Sequence, residues 1–306
     1  MTVWRALAPA KINLGLFVGP VRTDGRHQLV TVMQSISLAD ELTLSDAQGQ
    51  LADDELHCPG VEGPPTDNLA LRALVAFRAQ SRWSAPPKRL SVEKRVPIAG
   101  GLGGGSGDAG AALRLAAAAS QSGDAAMLHR IAVTLGADVP AQVQPGRWLA
   151  SGAGEVLKHL PAPSQPLGVL VLPSQATLST AAVYAAFEEI GVSRDAAQLE
   201  RLEQELAAVL QDGAPLPAPH LLHNDLQRAA RRLCPSIGQA LSEATRAGAD
   251  VALLSGSGPT VVGLFAGGQA LTRAQTAARR LSGRTPAAVC ALTVDAAFGA
   301  PSRLDQ

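Results

Sequence analysis

The segment with the most chemical potential is Pro97-Ile98-Ala99-Gly100-Gly101-Leu102-Gly103-Gly104-Gly105-Ser106-Gly107-Asp108, in which six of the eight residues from 100 to 107 are glycine. Without Cβ atoms the backbone can turn sharply and approach a ligand closely. The pattern places this loop between a strand ending at Pro97 and an Ala-rich helix running to about Ser120. Backbone N–H groups converging at a helix N-terminus attract an anion, and the obvious anion is a nucleotide's phosphate chain. Two familiar phosphate motifs fit poorly. No lysine follows the glycines, so GxxxxGK[ST] fails. Gly105–Gly110 matches GxGxxG, but a second helix near Asp124 follows where a dinucleotide fold needs a strand. An NAD-dependent oxidoreductase is therefore the weaker reading. Asp108 beside a phosphate would be repulsive and is expected to cap the helix and point away.

Other side chains could serve such a loop. In Ala10–Leu16 the apolar residues recur every second position, so Lys11 and Asn13 share the opposite face of a strand. Taken alone, Lys11 reads as a solvated charge. Gly136 stops a helix and Pro140 restricts the residue before it, which holds Asp138 in a stiff turn. His27 follows the turn Asp24-Gly25-Arg26 and alone is incidental. His220, His223 and Asp225 lack metal-site spacing. A second loop, Ser255-Gly256-Ser257-Gly258-Pro259-Thr260, joins two strands and reads equally as a tight hairpin or a ligand contact.

The elements that must position these residues follow from pattern. Strands are expected over 3–19, 30–38, 41–44, 89–96 and 167–172, with Ala39-Asp40 a tight join and 46–66 an exposed loop containing a short strand. Helices are expected from Asn68, from the glycine loop to Ser120, from Asp124 to Gly136, and near 179–190, 195–210, 224–233, 236–247 and 269–282. Short strands lie within 146–159, and further strands at 251–255, 260–265 and 289–294. The class is α+β, since no regular βαβ repeat appears. Pro161, Pro163 and Pro166 mark the most linker-like stretch, dividing the chain into units 1–160 and 161–306.

Composition narrows the function. The chain has 306 residues, 46% hydrophobic, with 26 Lys+Arg against 26 Asp+Glu. A balanced charge and only 3% aromatics argue against a nucleic-acid partner. No long apolar run suggests a membrane span, and no signal peptide is evident. Three unpaired cysteines, Cys58, Cys234 and Cys290, suit a reducing, cytoplasmic setting. Nothing in the pattern speaks to oligomeric state.

Three segments together resemble the GHMP small-molecule kinases: Pro9-Ala10-Lys11-Ile12-Asn13-Leu14, the loop Pro97–Ala109, and Leu254–Thr260. Arg22–His27, Gly136–Pro140, Asn224-Asp225-Leu226 and the triple glycine Gly103–Gly105 match one branch of that family. The resemblance implies a two-domain α+β GHMP kinase fold with the active site in the interdomain cleft. It implies ATP and Mg²⁺, with no metal ligands identified, and a small-molecule cytidyl diphosphate substrate of non-mevalonate isoprenoid synthesis, phosphorylated on the 2-hydroxyl of its methylerythritol moiety. Asp138 then matches the group that accepts the hydroxyl proton and Lys11 the lysine beside it. Asn13, Arg26, His27 and Tyr184 match substrate contacts, Tyr184 and Arg26 flanking the cytosine, although by helical pattern Tyr184 is equally a core residue. Pro97, Gly100, Gly101, Leu102, Gly103, Gly104, Gly105, Ser106 and Gly107 match the ATP loop, with Ser255, Gly256, Ser257 and Gly258 as the second glycine loop. Arg26 stands where an aromatic is usual, Gly107 where a second serine is, and Ala141-Gln142 where a bulkier apolar pair is. The alternatives are another GHMP alcohol kinase and a catalytically inactive nucleotide sensor, against which the presence of both Lys11 and Asp138 argues.

Overall fold

One long hairpin organises the molecule. In the computed structural model, which describes residues 2–49 and 52–304, β1 (Val3–Val21) pairs antiparallel with β2 (His27–Asp46). The second strand is continuous, so the expected join at Ala39-Asp40 is not a turn. Pro9 faces Ala39 while Ala10 faces Ile36, and this register shift absorbs the extra residues as a bulge. Asp40 is fully buried there, and its Oδ1 accepts the backbone N–H groups of Arg95 and Val96.

The first half continues with β3 (Glu55–His57), α1 (Leu69–Ser81), β4 (Lys88–Glu93), α2 (Gly104–Ser120), α3 (Ala125–Leu135), α4 (Val139–Val143), β5 (Arg147–Ser151) and β6 (Val156–Leu160). The strand expected within 46–66 is β3; Gln50 and Leu51 of that loop lie outside the described residues. Asn68 and Asp124 cap α1 and α3 by accepting from Ala70 and Met127 N–H groups. The second half comprises β7 (Gly168–Leu172), α5 (Thr180–Ile190), α6 (Ala196–Leu210), α7 (Gln227–Leu233), α8 (Ser236–Arg246), β8 (Val251–Leu254), β9 (Val261–Phe265), α9 (Ala270–Arg280), β10 (Val289–Leu292) and β11 (Ser302–Leu304).

The strands form two sheets. The first runs β11-β1-β2-β4-β3, with β5 on the first part of β2 and β6 on β5; only β3 and β4 pair parallel. The second is antiparallel, β10-β7-β9-β8. The α+β class holds. The terminal strand β11 and the short helix α4 went unrecognised in the sequence. β11 pairs with β1 from Val3↔Leu304 to Arg5↔Ser302, and three residues without alternation carry no periodic signal.

Among the described residues, three large hydrophobic clusters and a small one around Met33, Ala141 and Ala150 hold the layers. Ala-rich α2 packs with α1 and α3 on one end of the first sheet through Leu74, Phe77, Leu113 and Ile131. Ile12, Leu14 and Val32 of the hairpin meet Val169, Val262 and Leu264 of the second sheet. The helices α5, α7, α8 and α9 cover that sheet's other face. With layers on both sides, the middle of β1 is buried on both faces, and the expected outward face does not exist.

The helix α2 begins at Gly104, inside the glycine cluster rather than after it. A Cβ on Gly110 would lie 2.3 Å from the Gln142 carbonyl oxygen, and one on Gly107 would lie 3.0 Å from that of Pro9. These glycines serve close helix–backbone packing, which outweighs their poor helix propensity. Asp108 does not cap the helix: the N-cap is Gly103, in the left-handed region at φ 67°.

Candidate active site

Lys11 is carried beneath the glycine loop by a backbone bond. Its N–H donates to the Leu102 carbonyl at 2.8 Å, and the Leu102 side chain is sunk in the core shared by the two sheets. The Lys11 side chain runs under Gly103, where a Cβ would meet Lys11 Cγ at 2.9 Å. Lys11 is only 6% exposed, so it is no surface charge. Its Nζ lies 3.0 Å from Asn13 Oδ1 and 3.2 Å from Asp138 Oδ2. Asn13 Nδ2 donates to Thr31 Oγ1 at 2.8 Å, and that hydroxyl donates to the Gly15 carbonyl at 2.6 Å. This chain fixes the amide so that its oxygen faces the ammonium. Asp138 sits at the N-cap position of α4 without donating to or accepting from that helix's backbone, so its carboxylate is left for Lys11 and the cavity.

At the glycine loop the first turn of α2 is left open. The N–H groups of Gly104, Gly105 and Ser106 start α2 and have no partner within the helix; no side chain caps them and no acidic residue lies in the first turn. Asp108 points away and is buried, its Oδ2 accepting from Lys94 Nζ at 2.7 Å; Lys94 also bonds Asp40. Burial is the largest influence on the Asp108 carboxyl. Lys94 opposes it, Asp40 reinforces it, and the pKa is pushed up to about 7.

The two glycine loops are packed backbone to backbone. Ser255 Oγ donates to Gly101 O at 3.0 Å and Thr260 N–H to Gly100 O at 3.3 Å. A Cβ on Gly101, where φ is +76°, would lie 2.4 Å from the Ser255 carbonyl oxygen. Asn224 braces the second loop from behind, its Nδ2 donating to Leu254 O at 2.9 Å and to Gly256 O at 2.8 Å. Thr180 and Ser257 hydroxyls meet at 3.0 Å, linking that loop to α5.

These parts surround one cavity of about 790 Å³. Lys11, Asn13 and Asp138 line it, as do Gly101, Gly103 and Ser106 of the first loop and Gly256 and Ser257 of the second. Arg26, His27 and Tyr184 line it too. Pro97, Gly100, Leu102, Gly104, Gly105, Gly107, Ser255 and Gly258 are not in its wall; Gly100, Leu102 and Gly107 are buried behind it. Tyr184 packs against the second core and also lines the cavity. Its ring lies 5.1 Å from that of His27, tilted by 32°. Burial first, then the nearby Asp138 charge, push its phenol up to about 12. Arg26 is turned onto Asp24, at 2.9 and 3.2 Å, rather than over Tyr184.

The sequence did not point to Thr31, Asn224 as a brace, or Glu188. Glu188 lines the cavity and its Oε1 lies 2.8 Å from His27 Nε2; its spacing of four from Tyr184 on one helix was the available signal. His223 pairs with Asp225 and His220 with Glu205, and among the described residues no group of three or more His, Cys, Asp or Glu converges. No helix of the described residues is long and apolar enough to cross a membrane.

Lys11 and Asp138 share one cavity with Gly103 and Ser106 at the uncapped start of α2. The family models for the GHMP kinases N terminal domain and the GHMP kinases C terminal region match residues 68–146 and 194–284. The 4-diphosphocytidyl-2-C-methyl-D-erythritol kinase of Corynebacterium efficiens is 38% identical over 84% of this chain and 83% of its own. That of Anaeromyxobacter dehalogenans is 39% identical over 91% and 85%. A crystal structure of 4-(cytidine 5'-diphospho)-2C-methyl-D-erythritol kinase superposes with a TM-score of 0.74 at 32% identity, covering 94% of this chain and 98% of that one. The crystal structure of L. major mevalonate kinase in complex with R-mevalonate shares the fold at a TM-score of 0.66 and 17% identity, covering 95% of this chain and 96% of that one. The dinucleotide reading falls here too, because the GxGxxG match lies within α2 and is followed by another helix, α3. The chain belongs to the 4-diphosphocytidyl-2-C-methyl-D-erythritol kinase family of the GHMP kinases and is an ATP-dependent small-molecule kinase.

Proposed function

We propose that this chain transfers the γ-phosphoryl group of ATP to the 2-hydroxyl of 4-diphosphocytidyl-2-C-methyl-D-erythritol. The observation that carries the reading is the Lys11–Asp138 pair, 3.2 Å apart, lining the same cavity as both glycine loops. The substrate hydroxyl enters beside Asp138, which accepts its proton as the oxygen attacks the γ-phosphorus; the bond to the β-phosphate oxygen breaks and ADP leaves. Lys11 stabilises the negative charge on the attacking oxygen and the moving group. The first loop, Pro97 to Gly107, cradles the phosphates through its N–H groups, and Ser255–Gly258 closes the same space. Asn13 orients the reacting end, while Arg26, His27 and Tyr184 hold the cytosine.

Mg²⁺ fits this donor set as a partner of the nucleotide rather than of a protein cage, since it keeps several waters and needs only one or two protein oxygens. Ser106, lining the cavity at the start of α2, is the residue that would hold it. When bound it neutralises phosphate charge. The units we assign are 1–160 and 161–306, with the reaction between them and β11 returning to the first sheet. Three free cysteines suit a cytoplasmic enzyme.

The test is ADP release with Mg²⁺-ATP and a panel of alcohols. Turnover with the cytidyl substrate, and a phosphomonoester on its 2-oxygen by ³¹P NMR, are expected. Turnover of mevalonate or homoserine in its place overturns the reading.

A further inference from the structure

A second cavity, of about 830 Å³, shares no lining residue with the active-site cavity. Its volume is that of a small-molecule site. The walls come from the loop after α5, the segment before α7, α7 itself and the residue that starts α8. On α7 the side chains of Ala229 and Ala230 are buried, and Arg228 and Arg231 line this cavity. Residues three apart are neighbours on one helix face, with Cβ atoms about 5–6 Å apart. Neither guanidinium has a hydrogen-bond or ion-pair partner among the described residues. Arg231 is nonetheless placed: a Cβ on Gly238 would lie 3.3 Å from its Nη2 and 3.4 Å from its Nε, so it lies against a bare stretch of α8.

Asp225 is the one carboxylate in the wall, and it is already engaged. Its Oδ1 accepts from Arg194 Nη2 at 2.8 Å and lies 3.0 Å from His223 Nε2. Its Oδ2 accepts from Arg194 Nε at 2.7 Å and from the Val18 N–H at 2.9 Å. Arg232 is paired with Glu189, outside the wall, at 3.1 Å. Arg228 and Arg231 thus stand side by side with no counter-charge from the described residues, an arrangement that is repulsive until an anion joins them.

We propose that this cavity binds the diphosphate group of a small molecule, one phosphoryl on each of Arg228 and Arg231. A guanidinium fork meets a phosphoryl group through two parallel N–H···O bonds. A diphosphate carries two phosphoryl groups joined through one oxygen and so answers two neighbouring forks. A single phosphate answers one fork and leaves the other charge uncompensated. The formal charge of the whole chain is zero, so the attraction is confined to this concavity and suits a small anion rather than a nucleic acid.

The experiment is titration calorimetry of inorganic pyrophosphate into the full chain, with the active-site cavity saturated by a non-hydrolysable ATP analogue so that the glycine loops cannot take the anion. Ethyl diphosphate titrated in parallel separates an ester from the bare anion, and binding of either supports the site. Wild type is expected to bind diphosphate at least about tenfold more tightly than orthophosphate. R228Q/R231Q is expected to weaken diphosphate binding by at least about tenfold, with its melting temperature and its KM for ATP at wild-type values. R130Q/R201Q removes the same charge from α3 and α6 and is expected to leave diphosphate binding unchanged. Wild type that binds neither diphosphate overturns the proposal. So does orthophosphate bound as tightly as diphosphate, or a loss in R130Q/R201Q that matches the loss in R228Q/R231Q.

Discussion

Lys11 Nζ sits between two oxygens from distant parts of the chain, 3.0 Å from Asn13 Oδ1 and 3.2 Å from Asp138 Oδ2. Asn13 is fixed from behind by Thr31, so the ammonium is held by a rigid amide on one side and by a cavity-facing carboxylate on the other.

Replacing either charged member should therefore spare the fold and stop the chemistry. Asp138→Asn should lower kcat by roughly 10² or more, the worth of a general base, with ATP affinity within a few-fold of wild type. Lys11→Met should lower kcat by a similar factor of about 10² to 10³. Steady-state kinetics with melting curves check both. A Lys11→Met melting temperature that drops in step with activity would make that lysine structural.

Gly105 and Gly103 separate the loop's two jobs. A Cβ on Gly105 meets nothing nearer than Leu69 Cδ1 at 3.8 Å, and Gly105 is exposed. Gly105→Ala should hold or raise stability, by up to about 1 kcal/mol of helix propensity, and, on the proposed phosphate cradle, weaken ATP binding. Gly103→Val places a branched side chain at φ 67° against Lys11 Cγ, so it should lose ATP binding, turnover and stability together. Titration calorimetry with ATP and thermal melts distinguish the two patterns.

Tyr184 lines the proposed base site, its ring 5.1 Å from that of His27. Base stacking on an aromatic is worth roughly 1–3 kcal/mol, so Tyr184→Ala should weaken the cytidyl substrate about tenfold or more. Tyr184→Phe should leave affinity near wild type, and ATP affinity should not move in either. Arg26→Ala should weaken the cytidyl substrate if the guanidinium leaves Asp24 to cover the base. An unchanged KM would leave Arg26 as a turn residue paired with Asp24.

Asp108 gives a pH signature unconnected with catalysis. Its carboxyl is about 7 in the folded protein, against roughly 3.9 in an unfolded chain. A folded value raised above the unfolded one means the group's stabilising contribution is full below about pH 4 and lost as pH rises through about 7. The melting-temperature difference between wild type and Asp108→Asn should therefore shrink from pH 5 to pH 8. A difference that stays flat or grows with pH contradicts this.

Much of the site was legible because its residues lie in short local motifs. The period-two strand around Lys11, the glycine run before an Ala-rich helix and the Gly136–Pro140 turn are each set by neighbours in sequence, since backbone freedom and side-chain alternation act over a few residues. What local pattern misjudged depends on contacts from afar. Asp40 reads as a turn residue, yet a bulge and two N–H groups from Arg95 and Val96 keep it inside a strand. Asp108 reads as a cap, yet Lys94 draws it into the interior. Lys11 reads as solvated, yet the second layer packed across the hairpin buries it. Glu188 and His27 are far apart in sequence and pair only because α5 lies against the start of β2. Composition and spacing determined which residue types could handle phosphate; the packing of two sheets against each other decided which of them face one cavity, because desolvation and pairing of charges exist only once the layers have closed.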